Sequence, residues 1–135
     1  MAHAATQVSH TLTACAPSCS DPQLLDEMED DMEAGGAVVE YHGAELFPER
    51  WFDLVLVLRC DNSVLYSRLE SRGYSAKKLA DNVEAEIMQV ILDEARESYA
   101  EDIVIELPSN TIEDMESNVQ RTVQWLKSWQ PREQA

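Results

Sequence analysis

The chain has 135 residues, 26 of them acidic and 10 basic, for a formal charge of −16 at pH 7; that length fits one domain. The charge excludes a free-standing nucleic-acid binder, which must neutralise phosphates, and a composition of 44% apolar and 27% charged residues excludes wholesale disorder. No apolar run approaches the ~20 residues of a membrane span; the longest, Leu54 to Leu58, has the length of a buried strand.

Residues 1–20 carry Ala, Ser, Thr and Cys without a sustained apolar period and are expected to form a disordered leader. They have neither the charged start and apolar core of a secretory signal nor the arginines of a mitochondrial one. From Asp21 the pattern changes. Leu24, Leu25, Met28 and Met32 recur at helical spacing behind an Asp21-Pro22 start, acidic residues cover the other face, and Gly35-Gly36 stops the helix. Residues 37–41 read as a short strand ending at His42-Gly43. After a loop through Phe47-Pro48-Glu49-Arg50-Trp51-Phe52, residues 53–58 read as a strand covered on both faces. Asp61 or Asn62 opens a helix with Val64, Leu65 and Leu69 on one side, closed by Gly73. Ser75 starts a longer helical tract whose stripe runs through Leu79, Val83, Ile87, Ile91 and Ala95 to Tyr99. Residues 103–107 form a third strand, broken by Pro108. The final helix has Thr111 and Asp114 at capping-box spacing, with Ile112, Met115, Val119, Val123, Leu126 and Trp129 expected to point inward. Strands alternating with helices predict an α/β fold with a mainly parallel sheet.

In such sheets ligands bind at the carboxyl ends of the strands. Glu40 and His42 stand there at a two-residue spacing, on one side of the predicted strand. A carboxylate in this position can orient a hydrated Mg²⁺ and a histidine can polarise water, although a surface charge and a loop hydrogen bond explain the same residue types. Arg68, Arg72, Lys77 and Lys78 crowd into one short stretch of an otherwise acidic chain. Arg68 and Arg72 share a helix face and can grip phosphate oxygens; internal pairing with the acidic excess is the alternative. Three cysteines, Cys15, Cys19 and Cys60, complete neither a disulfide framework nor a structural zinc site, and suit free thiols in a reducing compartment.

Residues 21 to about 129 resemble the adenylate kinase isoenzyme 6 family, small P-loop nucleoside monophosphate kinases also described as nuclear ATPases and, in yeast, as a ribosome-assembly factor. The resemblance runs through Glu40-Tyr41-His42-Gly43, Phe47-Pro48-Glu49-Arg50-Trp51-Phe52, Val57-Leu58-Arg59, Arg68-Leu69-Glu70-Ser71-Arg72-Gly73-Tyr74, Asp81-Asn82, Glu86-Ile87 and Leu107-Pro108-Ser109-Asn110. It implies an incomplete P-loop NTPase sheet with flanking helices, a partial kinase domain over 21–130, a lid over 71–81 and a tail over 131–135. It also implies Glu40, in place of the family's aspartate, and His42 as catalytic, with Glu40 reaching Mg²⁺ through water. Arg72 and Arg68 are implied to bind ATP, and Thr111 to stand at the adenine contact where the family commonly has lysine. Mg²⁺ with ATP, AMP as second substrate, ribosome-assembly or nuclear-body proteins as partners, and a nuclear and cytoplasmic location follow from the same resemblance.

One departure weighs against activity. No G-x-x-x-x-G-K-[ST] can be assembled from Gly35, Gly36, Gly43 and Gly73 with Lys77, Lys78 and Lys127. The amide cradle, the phosphate lysine and the Mg²⁺ hydroxyl are missing together. The expectation is therefore a truncated or alternatively spliced product, silent in phosphoryl transfer alone; a non-catalytic acidic binding module is the alternative.

Overall fold

The computed structural model describes residues 21–130; the expected leader and tail lie outside them. Helix α1 (Asp21–Ala34) leads through an extended stretch and a 3₁₀ turn at Glu49–Trp51 into strand β1 (Val55–Arg59). Helices α2 (Asn62–Ser71), α3 (Ala76–Ile87) and α4 (Val90–Ser98) follow, then β2 (Val104–Pro108) and α5 (Ile112–Ser128). β1 and β2 pair in parallel, with Val55 opposite Val104 and Arg59 opposite Pro108. A crossover of three helices joins them, as parallel strands require.

The core has two lobes. Ala44, Val57, Leu92, Ala95, Tyr99 and Ile103 pack where α4 covers the sheet. Met28, Phe47 and Trp51 hold α1 against the loop before β1, with Leu24, Met32 and Tyr41 around them. Phe52 belongs to the margins of both lobes and meets the Phe47 and Tyr99 rings edge-on at 5.8 and 5.6 Å, a favoured aromatic geometry. Arg50 closes the second lobe from outside with a two-pronged ion pair to Glu29, at 2.5 and 2.9 Å.

Four expectations are corrected. Residues 37–41 form no strand: they are extended, but no described strand lies beside them to complete a ladder, and an unpaired strand has nothing to hold it. β1 is covered on one face only. Val57 is buried, whereas Leu56 and Leu58 are exposed, Leu58 at 59%. The tract from Ser75 to Tyr99 is two helices, broken at Met88–Gln89, where Gln89 takes a left-handed φ of 56°. Leu79 is buried where α3 lies on α2, while Leu92 and Ala95 are buried under the sheet; one straight rod cannot serve both destinations. Finally, the apolar stripe of α5 is real but points away from the described core, with Val119 exposed at 56% and Val123 at 41%. Polar bonds hold α5 instead: the Thr111/Asp114 capping box and the buried Asn118, whose Nδ2 donates to Pro108 O at 2.7 Å.

Candidate functional site

The carboxyl ends of β1 and β2 meet a corner built by α2 and the loop before α5. Backbone and side chain stitch this corner together. Ser109 N–H donates to Arg59 O at 2.6 Å, and Asp61 N–H to Asn110 Oδ1 at 2.7 Å. Asp114 Oδ2 accepts from the amides of Asn110 and Thr111 at 3.0 and 3.2 Å, and Thr111 Oγ1 accepts from Asp114 N–H at 3.1 Å. The Thr111 hydroxyl is thus used as a helix cap.

The four clustered cations separate by role. Arg68 donates from Nη1 to Ser109 O at 2.7 Å and from Nη2 to Asn110 O at 2.9 Å. It is a brace between α2 and the 107–110 loop, with both terminal nitrogens committed. Arg72 caps α2, and the chain turns directly behind it in a Schellman motif: Tyr74 N–H bonds Leu69 O, Gly73 N–H bonds Glu70 O, and Gly73 takes a φ of +76°. A side chain at Gly73 would have space but the wrong backbone, which is why a glycine stands there. Lys78 Nζ lies 4.3 Å from the Tyr74 ring centroid, in cation–π range. Ser75 caps α3 by accepting from Lys78 N–H. The Arg72 and Lys77 side chains are exposed and make no hydrogen bond or ion pair among the described residues.

Glu40 and His42 sit elsewhere in character. Both are exposed on the extended stretch, and without a ladder no common strand face aligns them. The His42 ring lies 4.2 Å from that of Tyr41, tilted at 41°. His42 lines a shallow cleft of about 500 Å³ with Tyr41, Gly43, Glu45, Leu46, Ile91 and Glu94; Glu40 does not line it. No hydrogen bond or ion pair among the described residues joins this stretch to the Arg68–Lys78 corner. Nor do the described residues hold any cluster of three or more His, Cys, Asp or Glu fit for a metal ion.

Sequence reasoning assigned no role to Arg59, yet it pairs with two carboxylates at once, Glu86 and Glu106. Hydrogen bonding to Glu86 raises its pKa above the ordinary arginine value. Next to it, burial pushes the Cys60 thiol up, away from the thiolate that nucleophilic chemistry uses.

These features define a P-loop NTPase-like α/β scaffold, and a family model described as "AAA domain" matches residues 9–89. The chain is 55% identical over 109 residues to an adenylate kinase isoenzyme 6 homolog of Dictyostelium discoideum, covering 81% of this chain and 62% of that protein. It is 58% identical over 103 residues to the homolog of Caenorhabditis elegans, at 75% and 57% coverage. With the Saccharomyces cerevisiae homolog FAP7 it shares 52% identity over 109 residues, at 81% and 55%. The chain belongs to the adenylate kinase isoenzyme 6 family, a nucleoside monophosphate kinase and ATPase family. It spans about three fifths of the length of the curated relatives it matches.

Families of this class generally work with Mg²⁺-ATP. The described residues do not by themselves fit that group: Arg68 braces the Ser109 and Asn110 carbonyls, the Thr111 oxygen caps α5, and Glu40 belongs to no group of three or more possible ligands.

Proposed function

We propose that this chain carries the lid side and the loop 107–111 of a site whose reaction is ATP + AMP to 2 ADP, with associated ATPase activity. In that reading Arg72 is the ATP-contacting cation of the lid over 71–81, with Lys77 beside it, and Arg68 acts by bracing the loop that carries Thr111. Glu40 and His42 are the catalytic pair. By itself the 135-residue chain is silent, because it has no phosphate-cradling loop: a tripled deficit of amide nest, lysine and hydroxyl removes most transition-state stabilisation. Nuclear and cytoplasmic location, and partners among ribosome-assembly or nuclear-body proteins, belong to the same reading. The observation that carries it is the pair of exposed cations, Arg72 and Lys77, at the turn between α2 and α3, whose side chains have no ion-pair or hydrogen-bond partner among the described residues of an otherwise acidic chain.

Purified chain with ATP, AMP and Mg²⁺ tests this. The expected result is no turnover above a protein-free blank and only weak, salt-sensitive heat on ATP titration, lost in Arg72→Ala. Turnover that His42→Ala or Arg72→Ala abolishes would refute the silence of the chain. Weak ATP binding unchanged in Arg72→Ala and Lys77→Ala would refute the cation assignment.

A second reading, a non-catalytic binding module, is favoured by one specific observation: the exposed apolar stripe of α5, together with exposed Leu56 and Leu58 on β1. A partner captured equally by wild type and Arg72→Ala supports it.

A further inference from the structure

Outside the basic corner, the densest set of charged contacts among the described residues sits at the last residue of β1. Arg59 donates from Nε to Glu86 Oε1 at 2.5 Å, from Nη2 to the main-chain oxygen of Glu86 at 3.2 Å, and from Nη1 to Glu106 Oε1 at 3.2 Å. Glu86 Oε1 also accepts the Cys60 amide at 3.3 Å. Both partners are largely sheltered, with side-chain exposures of 20% and 18%, so bulk water screens the pair weakly. Arg59 holds a side chain and a main-chain carbonyl of one residue at once, which only a planar fork of donors can do.

Glu86 lies in the last turn of α3. Two residues beyond it the helix breaks, and Gln89 reverses φ before α4 starts. At the opposite end of α3 stand Ser75, Lys77 and Lys78, directly after the Gly73 turn that presents Arg72. A helix of 12 residues is about 18 Å long, so a small change of angle at Glu86 moves Lys77 and Lys78 by several ångströms. The arm therefore has a pivot at Met88–Gln89 and a latch one turn before it.

We infer that Arg59 is a positioning residue: by gripping Glu86 at both its carboxylate and its carbonyl it sets the angle of α3, and so where Lys77 and Lys78 stand relative to Arg72. That the arm serves to present cations to a phosphate rests on the function proposed above; that it is latched does not.

Hydrogen exchange of the full chain without nucleotide reads the latch directly. In Arg59→Gln and Glu86→Gln the α3 amides should exchange about tenfold faster, roughly the loss of one charge-assisted hydrogen bond, while the β1, β2 and α5 amides keep their rates. Arg59→Lys, which lacks the fork, should fall between, and Arg59→Glu combined with Glu86→Arg should recover part of the protection. In wild type 1 M salt should change α3 exchange little. Unchanged α3 exchange in both single variants overturns the inference, and so does an equal rise in every element, which marks Arg59 as mere sheet support. If Arg59→Gln does not fold, the near-isosteric Glu86→Gln decides. Arg72→Ala should leave α3 exchange untouched, so failure of the cation assignment and failure of the latch are told apart.

Discussion

The exposed stripe of α5 makes an unusual ranking of side chains. In an ordinary amphipathic helix the apolar positions carry the stability and a polar residue between them carries little. Here Asn118 is 9% exposed and donates to Pro108 O, whereas its neighbour Val119 is 56% exposed. Replacing Val119 by Ala removes two methyl groups worth about 0.8 kcal/mol each when fully buried, and less than half of that burial exists here. The better helix propensity of alanine returns about 0.5 kcal/mol, leaving a net change near zero. Asn118→Ala loses a net hydrogen bond of about 1 kcal/mol and leaves the Pro108 carbonyl short of a partner, so about 1–2 kcal/mol is expected after the same propensity gain. Urea unfolding followed by the tryptophan signal measures both midpoints at equal slope. A larger loss for Val119→Ala or Val123→Ala than for Asn118→Ala would refute this ranking, because it would mean that the stripe is covered in solution. Repeating the titration at several protein concentrations identifies a second copy as the cover if the midpoint then rises with concentration.

Gln89→Gly should stabilise the chain by about 0.5–1 kcal/mol, since relief of the left-handed conformation, about 1–2 kcal/mol, outweighs the added chain entropy of glycine; a loss in melting temperature would show that Gln89 is not strained. The guanidinium of Arg50 holds the Glu29 carboxyl below its usual range. Stability from that pair is present above the carboxylate pKa of the unfolded chain and is lost as pH falls through the lower folded value. Glu29→Gln should accordingly flatten the acid limb of the stability curve, read as midpoints between pH 6 and about 3; an unchanged acid slope would count against the pair.

Elements with short-range signals were legible from the residues. The end of α1 at Gly35-Gly36, the stop of α2 at Gly73, the Ser75 cap and the Thr111/Asp114 box all use partners within a few positions, so spacing alone reveals them. The cores of β1 and β2 were legible too, as apolar runs, though β2 extends to Pro108 because its register is set by pairing with Arg59. The family motifs around Glu40, His42, Arg68 and Arg72 could be read as motifs, but not as a geometry.

What only the tertiary structure decided are the contacts made across long stretches of chain. The strand expected over 37–41 needs a neighbour, and apolar character cannot supply one. The break at Met88–Gln89 has no glycine or proline to announce it; it arises because α3 and α4 bury different faces against different elements. Arg68 and Arg72 look equivalent on a helical wheel, yet one side chain finds carbonyls 41 and 42 residues away and the other finds none among the described residues. Arg59 and Glu86 are 27 residues apart, and no periodicity links them. Local hydrogen bonds are written in spacing, whereas an ion pair between distant residues exists only once the backbone has brought the two charges together.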